Sequence, residues 1–142
     1  MLTISNFQRY FSKEGLSQNE MISIQLFLRE FVVNSKGDLG PGYCTVTPIF
    51  KPLANIIRKR LDIKDILGEI EIKRCRRVHY FLSSKMSRNR NFIIDPAGVP
   101  GIHAHQTMPT IPYFGLREHA TGNHQVIYSE MEHVEDWSTW EI

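Results

Sequence analysis

The chain contains only two cysteines, Cys44 and Cys75, in 142 residues. Two thiols cannot build the disulfide framework of a small secreted domain, so we expect both to be reduced, with one bridge between them as the alternative. No apolar run approaches the ~20 residues that a membrane-spanning helix needs. The first 14 residues lack a basic segment leading into an apolar one, so the sequence predicts no signal peptide. A cytoplasmic location is therefore expected, or export without such a signal into a target cell.

The chain also carries little net charge, because 17 Lys and Arg residues face 15 Asp and Glu residues. A net charge of +2 does not indicate a nucleic-acid-binding protein. The charges are nevertheless segregated, with basic residues concentrated over 58–90 and acidic residues over 130–141. Two solvated faces would explain this pattern. A basic surface that binds an acidic protein partner or a phosphate-rich ligand is the alternative.

Helical patterns dominate the first half of the chain. Ser17 and Glu20 have the spacing of a capping box, and the wide apolar stripe that follows predicts a mostly buried helix over 21–35. Residues 6–12 predict a shorter helix before it. A further helix is expected to begin near Cys44, with its first two turns disturbed by the prolines that follow.

Strand patterns follow in the middle of the chain. Residues 69–73 alternate strictly, and 78–82 and 92–95 are short apolar runs separated by a polar hairpin loop over 83–91. After Pro96 the proline and glycine content predicts a loop-rich part over 96–142, with a last short strand at 125–128. The predicted fold is α+β, with helices packed on an antiparallel sheet, in a single domain over 1–142.

The two apolar runs place a histidine and an aspartate on neighbouring strands. If a loop centred on Ser87 joins these strands, Phe81 lies opposite Ile93 and His79 lies opposite Asp95. Directly opposed residues have Cβ atoms roughly 4.5–5.5 Å apart, a separation that suits a hydrogen bond between imidazole and carboxylate. A satisfied core histidine and a turn-capping aspartate are the structural alternative.

Cys44 precedes this pair and follows a glycine-rich turn. Gly40 and Gly42 give the turn room to expose the sulfur, and a helix N-terminus favours the thiolate through its unpaired N–H groups. The order Cys44, His79, Asp95 is that of a thiol nucleophile, its base and the group that orients the base. A small buried apolar residue is the structural alternative for Cys44.

These motifs together resemble the papain-like and transglutaminase-like superfamily. The resemblance covers about Gly40 to Gly98 and is carried by the Gly-x-Cys turn, the His79 strand and the apolar-Asp-Pro end of the next strand. It implies a papain/transglutaminase-like core, a catalytic part over about 17–98, and catalysis by Cys44, His79 and Asp95. The small glutamine-deamidase and thiol-peptidase effector domains, some of them toxins, are closest in size.

One departure from the pattern concerns the oxyanion hole. Papain-like peptidases carry a glutamine shortly before the cysteine, and residues 38–40 contain none. The Cys44 backbone N–H could donate one hydrogen bond to an oxyanion. For the second donor, Gln25 and Asn34 are candidates by residue type alone.

The expected function is hydrolysis of an amide bond of a protein substrate through a thioester at Cys44. Within that class we favour a glutamine deamidase, with a cysteine peptidase as the alternative. A non-catalytic inhibitor or adaptor with a basic face is the alternative from another class. No cofactor, metal, membrane or nucleic acid is expected, and the oligomeric state stays open.

The sequence contains two weaker candidate sites. His103 and His105 could place two imidazoles on one face as zinc ligands, but solvent-exposed loop histidines explain them better. Cys75 lies among basic residues, yet no base stands at a suitable spacing in the sequence, so we expect a structural role for it.

Overall fold

The computed structural model describes residues 5–34, 59–75, 79–100 and 110–133. Its elements confirm the predicted α+β class, with helices packed on an antiparallel sheet. The helices of more than one turn are α1 (Gln18–Asn34), α2 (Leu61–Leu67) and α3 (Gly122–Ser129). The strands are β1 (Glu69–Cys75), β2 (His79–Met86), β3 (Arg90–Pro100), β4 (Thr110–Leu116) and β5 (Glu132–His133). Short 3-10 helices cover Phe7–Tyr10, Ser87–Asn89 and Arg117–His119.

Helix α1 begins at the predicted capping box. The Ser17 backbone N–H donates to Glu20 Oε1 at 2.9 Å, and the Glu20 N–H donates to Ser17 Oγ at 3.1 Å. These two bonds satisfy donors that the first helical turn leaves unpaired. The expectation of a mostly buried helix was wrong in one respect, because Ile22, Leu26 and Val33 are about half exposed.

The five strands form one antiparallel sheet in the order β4-β3-β2-β1-β5. Because side chains alternate along a strand, the sheet has two faces with different partners. The α1 face, with Ile72, Leu82 and Ile94, packs against α1 and α2 in the larger apolar core. The opposite face, here called the α3 face, has Phe81 and Ile93 packed against α3.

The hairpin between β2 and β3 is tighter than expected. Strand β2 continues to Met86 and β3 begins at Arg90, so only Ser87–Asn89 form the loop. Arg88 and Asn89 both have positive φ, 64° and 58°, which turns the chain within three residues. The loop is therefore centred one residue later than predicted, and Ser83 rather than Phe81 lies opposite Ile93. The predicted register was wrong by two residues, an even slip that leaves each side chain on its expected face.

The part beyond Pro96 holds more regular structure than its composition predicts. Strand β3 runs on to Pro100, and β4 pairs with it as an edge strand. An edge strand tolerates Pro112, which lacks an N–H. The strand predicted at 125–128 was wrong, because these residues belong to α3. Tertiary burial of Tyr128 against the sheet outweighs the strand preference of its β-branched neighbours.

Candidate active site

A histidine–aspartate pair lies on the α3 face, where β2 and β3 run side by side. His79 begins β2, and its Nε2 lies 2.8 Å from Oδ2 of Asp95 on β3. Since Leu82 pairs with Ile94, positions 79 and 95 are diagonal neighbours rather than directly opposed. The predicted contact is present, although the predicted register is not. The Asp95 side chain is fully buried, and the His79 side chain is 15% exposed.

Asp95 accepts hydrogen bonds from three donors on three different segments. Its Oδ2 accepts from the His79 ring and from the Tyr128 hydroxyl at 2.6 Å, and its Oδ1 accepts from the Gly98 N–H at 2.9 Å. A buried carboxylate is costly unless it is hydrogen-bonded in this way. The three donors hold both oxygens of Asp95 in place, which fixes the acceptor that faces His79.

An irregularity in β3 supplies one of these donors. The register between β3 and β4 shifts between Asp95 and Val99, and Gly98 in this bulge has φ of +77°. A Cβ at Gly98 would lie 2.4 Å from backbone atoms of Ile111. Position 98 therefore requires glycine, both for its left-handed backbone and for the close approach of β4. The bulge turns the Gly98 N–H back onto the carboxylate.

Aromatic rings surround the pair. The His79 and Phe81 rings stack with centroids 5.7 Å apart, and the Phe81 and Tyr128 rings meet edge to face at 4.9 Å. Tyr113 and His124 extend this group, with ring centroids 5.6 and 5.9 Å from that of Tyr128. The rings pack on one side of the buried Asp95 carboxylate, where electrostatic interactions are stronger than in water.

Burial also fixes the protonation of the two tyrosines. Desolvation, followed by the nearby charge of Asp95, raises the pKa of the Tyr128 hydroxyl well above its ordinary value of 10.0. Desolvation likewise raises the pKa of Tyr113 to about 12. Tyr128 therefore keeps its proton and donates to Asp95 throughout the neutral pH range.

Tyr128 and Gly98 were missed by the sequence analysis. Gly98 carried a signal, since a glycine three residues after a strand-end aspartate can direct its N–H at that carboxylate. Tyr128 carried none, because its segment was assigned to a strand and its distance from Asp95 depends on tertiary packing.

The predicted nucleophile Cys44 lies outside the described residues, as does the helix expected to begin near it. The other cysteine ends β1, which pairs with β2 so that position 75 is directly opposite position 79. Directly opposed positions share a face of the sheet. The sequence analysis did not bring these two positions together, because it did not predict how β1 and β2 pair.

The oxyanion-hole candidates gain no support. Gln25 belongs to α1, whose buried residues pack on the face opposite to His79 and Asp95. Asn34 is the last residue of the same helix.

The metal and surface expectations have mixed outcomes. His103 and His105 lie outside the described residues, and the described ranges contain no group of three or more potential metal ligands.

Several basic residues pair with carboxylates of the chain itself: Arg90 with Glu20, Lys73 with Glu71, and Arg60 with Glu30 and Asp62. For these three residues, ion pairs within the chain itself account for the basic side chains. Among the described residues, no helix has the length and apolar character needed to cross a membrane.

Comparison of the chain with protein-family models, curated proteins and solved structures finds no match.

Proposed function

We propose that the chain is a thiol-dependent hydrolase that cleaves amide bonds of a protein substrate. The observation that supports this most is the contact between His79 Nε2 and the buried Asp95 carboxylate. A carboxylate at one ring nitrogen fixes the tautomer of an imidazole and stabilises the imidazolium that forms when it takes a proton. Nδ1 is then the nitrogen that exchanges a proton with the nucleophile.

The reaction proceeds in two halves. In the first, His79 takes the thiol proton, the thiolate attacks the amide carbonyl carbon, and His79 returns the proton to the departing nitrogen as the C–N bond breaks. Ammonia or an amine leaves, and a thioester remains. In the second half, His79 removes a proton from water, which attacks the thioester. The C–S bond then breaks, His79 returns the proton to the sulfur, and the carboxylic acid leaves.

Cys44 is the proposed nucleophile, on the sequence order and the resemblance described above. The register of β1 with β2 adds a competing thiol, because position 75 neighbours position 79. An experiment on one cysteine must therefore be done in a background that lacks the other.

Thiol reactivity tests the proposal directly. Two single-cysteine proteins, C75S and C44S, are treated with iodoacetamide across pH 5–9, each with and without His79→Ala, and alkylation is followed by mass spectrometry. We expect Cys44, the thiol that remains in C75S, to react at pH 6 at least ~10-fold faster than a free thiol of ordinary acidity. His79→Ala should remove that advantage.

The other outcomes are equally informative. Fast, His79-dependent reaction of Cys75 alone would reassign the nucleophile within the same function. Slow reaction of both thiols, unchanged by His79→Ala, would overturn the hydrolase proposal and favour the non-catalytic inhibitor or adaptor.

Within the hydrolase class we propose deamidation of glutamine rather than peptide cleavage. A peptidase must accept an extended backbone beside its nucleophile, whereas a deamidase needs a slot for one side chain. The absence of the peptidase-type glutamine over 38–40 also favours deamidation. Intact-mass analysis of acidic candidate partners separates the two. A gain of about one dalton that depends on the nucleophilic cysteine supports deamidation, and backbone fragments would make the protein a peptidase. The compartment stays a prediction.

A further inference from the structure

The buried tyrosine of α3 reaches the same oxygen that the histidine uses. Tyr128 OH and His79 Nε2 both hydrogen-bond Asp95 Oδ2, at 2.6 and 2.8 Å. Hydrogen bonds to one oxygen compete for its charge, so a donor on one side weakens the acceptor on the other. The Tyr128 hydroxyl is therefore placed to reduce how strongly the Asp95 carboxylate attracts the His79 imidazolium.

We propose that Tyr128 is a positioning residue that limits the proton affinity of His79 by sharing the negative charge of Asp95. This inference deepens the proposed function, and its consequence for a thiol rests on that function. With the tyrosine present, the imidazolium is held strongly enough to form but released readily enough to return its proton. Without it, Asp95 would hold the imidazolium more tightly.

The protonation state of Tyr128 suits this role. Its side chain is fully buried, and its pKa lies well above the ordinary value because burial and the Asp95 charge both disfavour the phenolate. The hydroxyl thus remains a donor while His79 gains and loses its proton. A hydroxyl that lost its own proton at the pH where His79 titrates would stop donating to Asp95 and could not have this effect.

Within the described part of the chain, the polar groups of Tyr113 and His124 lie near this site but bond elsewhere. Tyr113 lies directly opposite Asp95 on β4, but its hydroxyl donates to the Leu116 carbonyl at 2.7 Å. His124 on α3 lies near both tyrosine rings, and its Nε2 is 2.7 Å from the Ile111 carbonyl oxygen. The Glu14 carboxylate contributes to the raised pKa of Tyr113.

Tyr113 therefore offers a matched control. Tyr128→Phe and Tyr113→Phe each remove one phenolic hydroxyl, from two rings whose centroids are 5.6 Å apart. Both keep the aromatic ring in the packed cluster. Only Tyr128→Phe removes a hydrogen bond from Asp95.

The experiment is an NMR titration of the histidine Cε1–H signals in the full chain, with the His79 signal assigned by its loss in His79→Gln. In Tyr128→Phe we expect the midpoint of the His79 titration to move to higher pH by about half a unit to one unit, the scale of one hydrogen bond to a charged group. In Tyr113→Phe the midpoint should match wild type. An unchanged midpoint in Tyr128→Phe, or the same displacement in both variants, would overturn the proposal and leave Tyr128 a packing residue.

A measurement on the wild-type protein removes dependence on the folding of the variant. With tyrosine labelled by ¹³C at Cζ, the Tyr128 signal should titrate with the His79 midpoint, because both groups bond one carboxylate oxygen. The Tyr113 signal should not follow that midpoint. A Tyr128 signal that stays flat while His79 titrates would contradict the proposal.

The iodoacetamide experiment distinguishes this inference from the proposed function. Suppose the midpoint moves in Tyr128→Phe and no thiol depends on His79. The role of Tyr128 toward His79 then stands, and the hydrolase function fails. If a thiol depends on His79 but neither its pH profile nor the His79 midpoint changes in Tyr128→Phe, the function stands and the inference fails.

Discussion

Replacing Asp95 with asparagine tests the hydrogen-bond network at its centre. The carboxylate accepts from His79, Tyr128 and Gly98, whereas an asparagine side chain has only one oxygen. If that oxygen takes the place of Oδ2, the new NH₂ group faces the Gly98 N–H. If it takes the place of Oδ1, the NH₂ faces the tyrosine hydroxyl and the histidine ring. No orientation satisfies all three donors in their present form.

The expected cost follows from this count. One buried donor without an acceptor costs about 1–3 kcal/mol, and the bonds that remain lose the strengthening that a charged acceptor provides. We expect Asp95→Asn to lower the free energy of unfolding by about 2–4 kcal/mol at pH 7. A typical domain has only about 5–15 kcal/mol in total, so the loss would be large.

Urea denaturation followed by circular dichroism measures the change. Asp65→Asn is the matched control, because Asp65 is exposed on α2 and the same substitution there should alter stability by less than about 0.5 kcal/mol. Equal stability of Asp95→Asn and wild type, with equal denaturant slopes, would refute the reasoning. It would mean that the site relaxes and supplies other partners. If the proposed function is right, Asp95→Asn should also slow catalysis by about 10²–10⁴-fold.

Two further predictions concern stability. Arg90 donates hydrogen bonds to both carboxylate oxygens of Glu20 and lowers the pKa of Glu20 from 4.5 to about 2. The pair therefore stabilises the fold above pH 4.5, and this stabilisation is lost as the pH falls toward 2. Glu20→Gln should therefore lower the free energy of unfolding by about 2 kcal/mol at pH 7, allowing for partial exposure to water. In denaturation curves below pH 4 the difference in stability from wild type should shrink. A difference that stays constant with pH would contradict the role of this pair. Gly98→Ala should cost about 2–4 kcal/mol in the same assay because its Cβ meets the Ile111 backbone, whereas Gly122→Ala, with positive φ but no atom within 4 Å of its Cβ, should cost about 1 kcal/mol. Equal losses in the two glycine variants would show that β4 moves aside.

Local chemistry explains the expectations that the structure confirms. A capping box depends on residues three apart, so Ser17 and Glu20 predicted the start of α1 without knowledge of any neighbour. Strict alternation over 69–73 predicted β1 for the same reason. The shared face of His79 and Asp95 also followed from the sequence, because an even slip in register preserves it.

The register itself depended on a detail that the sequence signalled weakly. Arg88 and Asn89 both take a left-handed backbone, and only asparagine of the two favours it. Polar composition over 83–91 predicted a long loop, yet Ser83 and Ser84 are buried within β2. The position of the hairpin loop sets the register of β2 with β3. Because the loop centre was predicted one residue too early, every predicted β2–β3 residue pair was wrong.

By itself, the sequence determined the fold class, the first helix, the middle strands and the shared sheet face of a histidine and an aspartate. These depend on periodicity and on contacts between residues close along the chain. Only the tertiary structure decided that Tyr128 shares the Asp95 oxygen and that position 75 faces position 79. Tyr128 lies 33 residues from Asp95, so no local pattern encodes their contact. Its geometry depends on how α3 packs on the sheet, which is set by the burial of many side chains together.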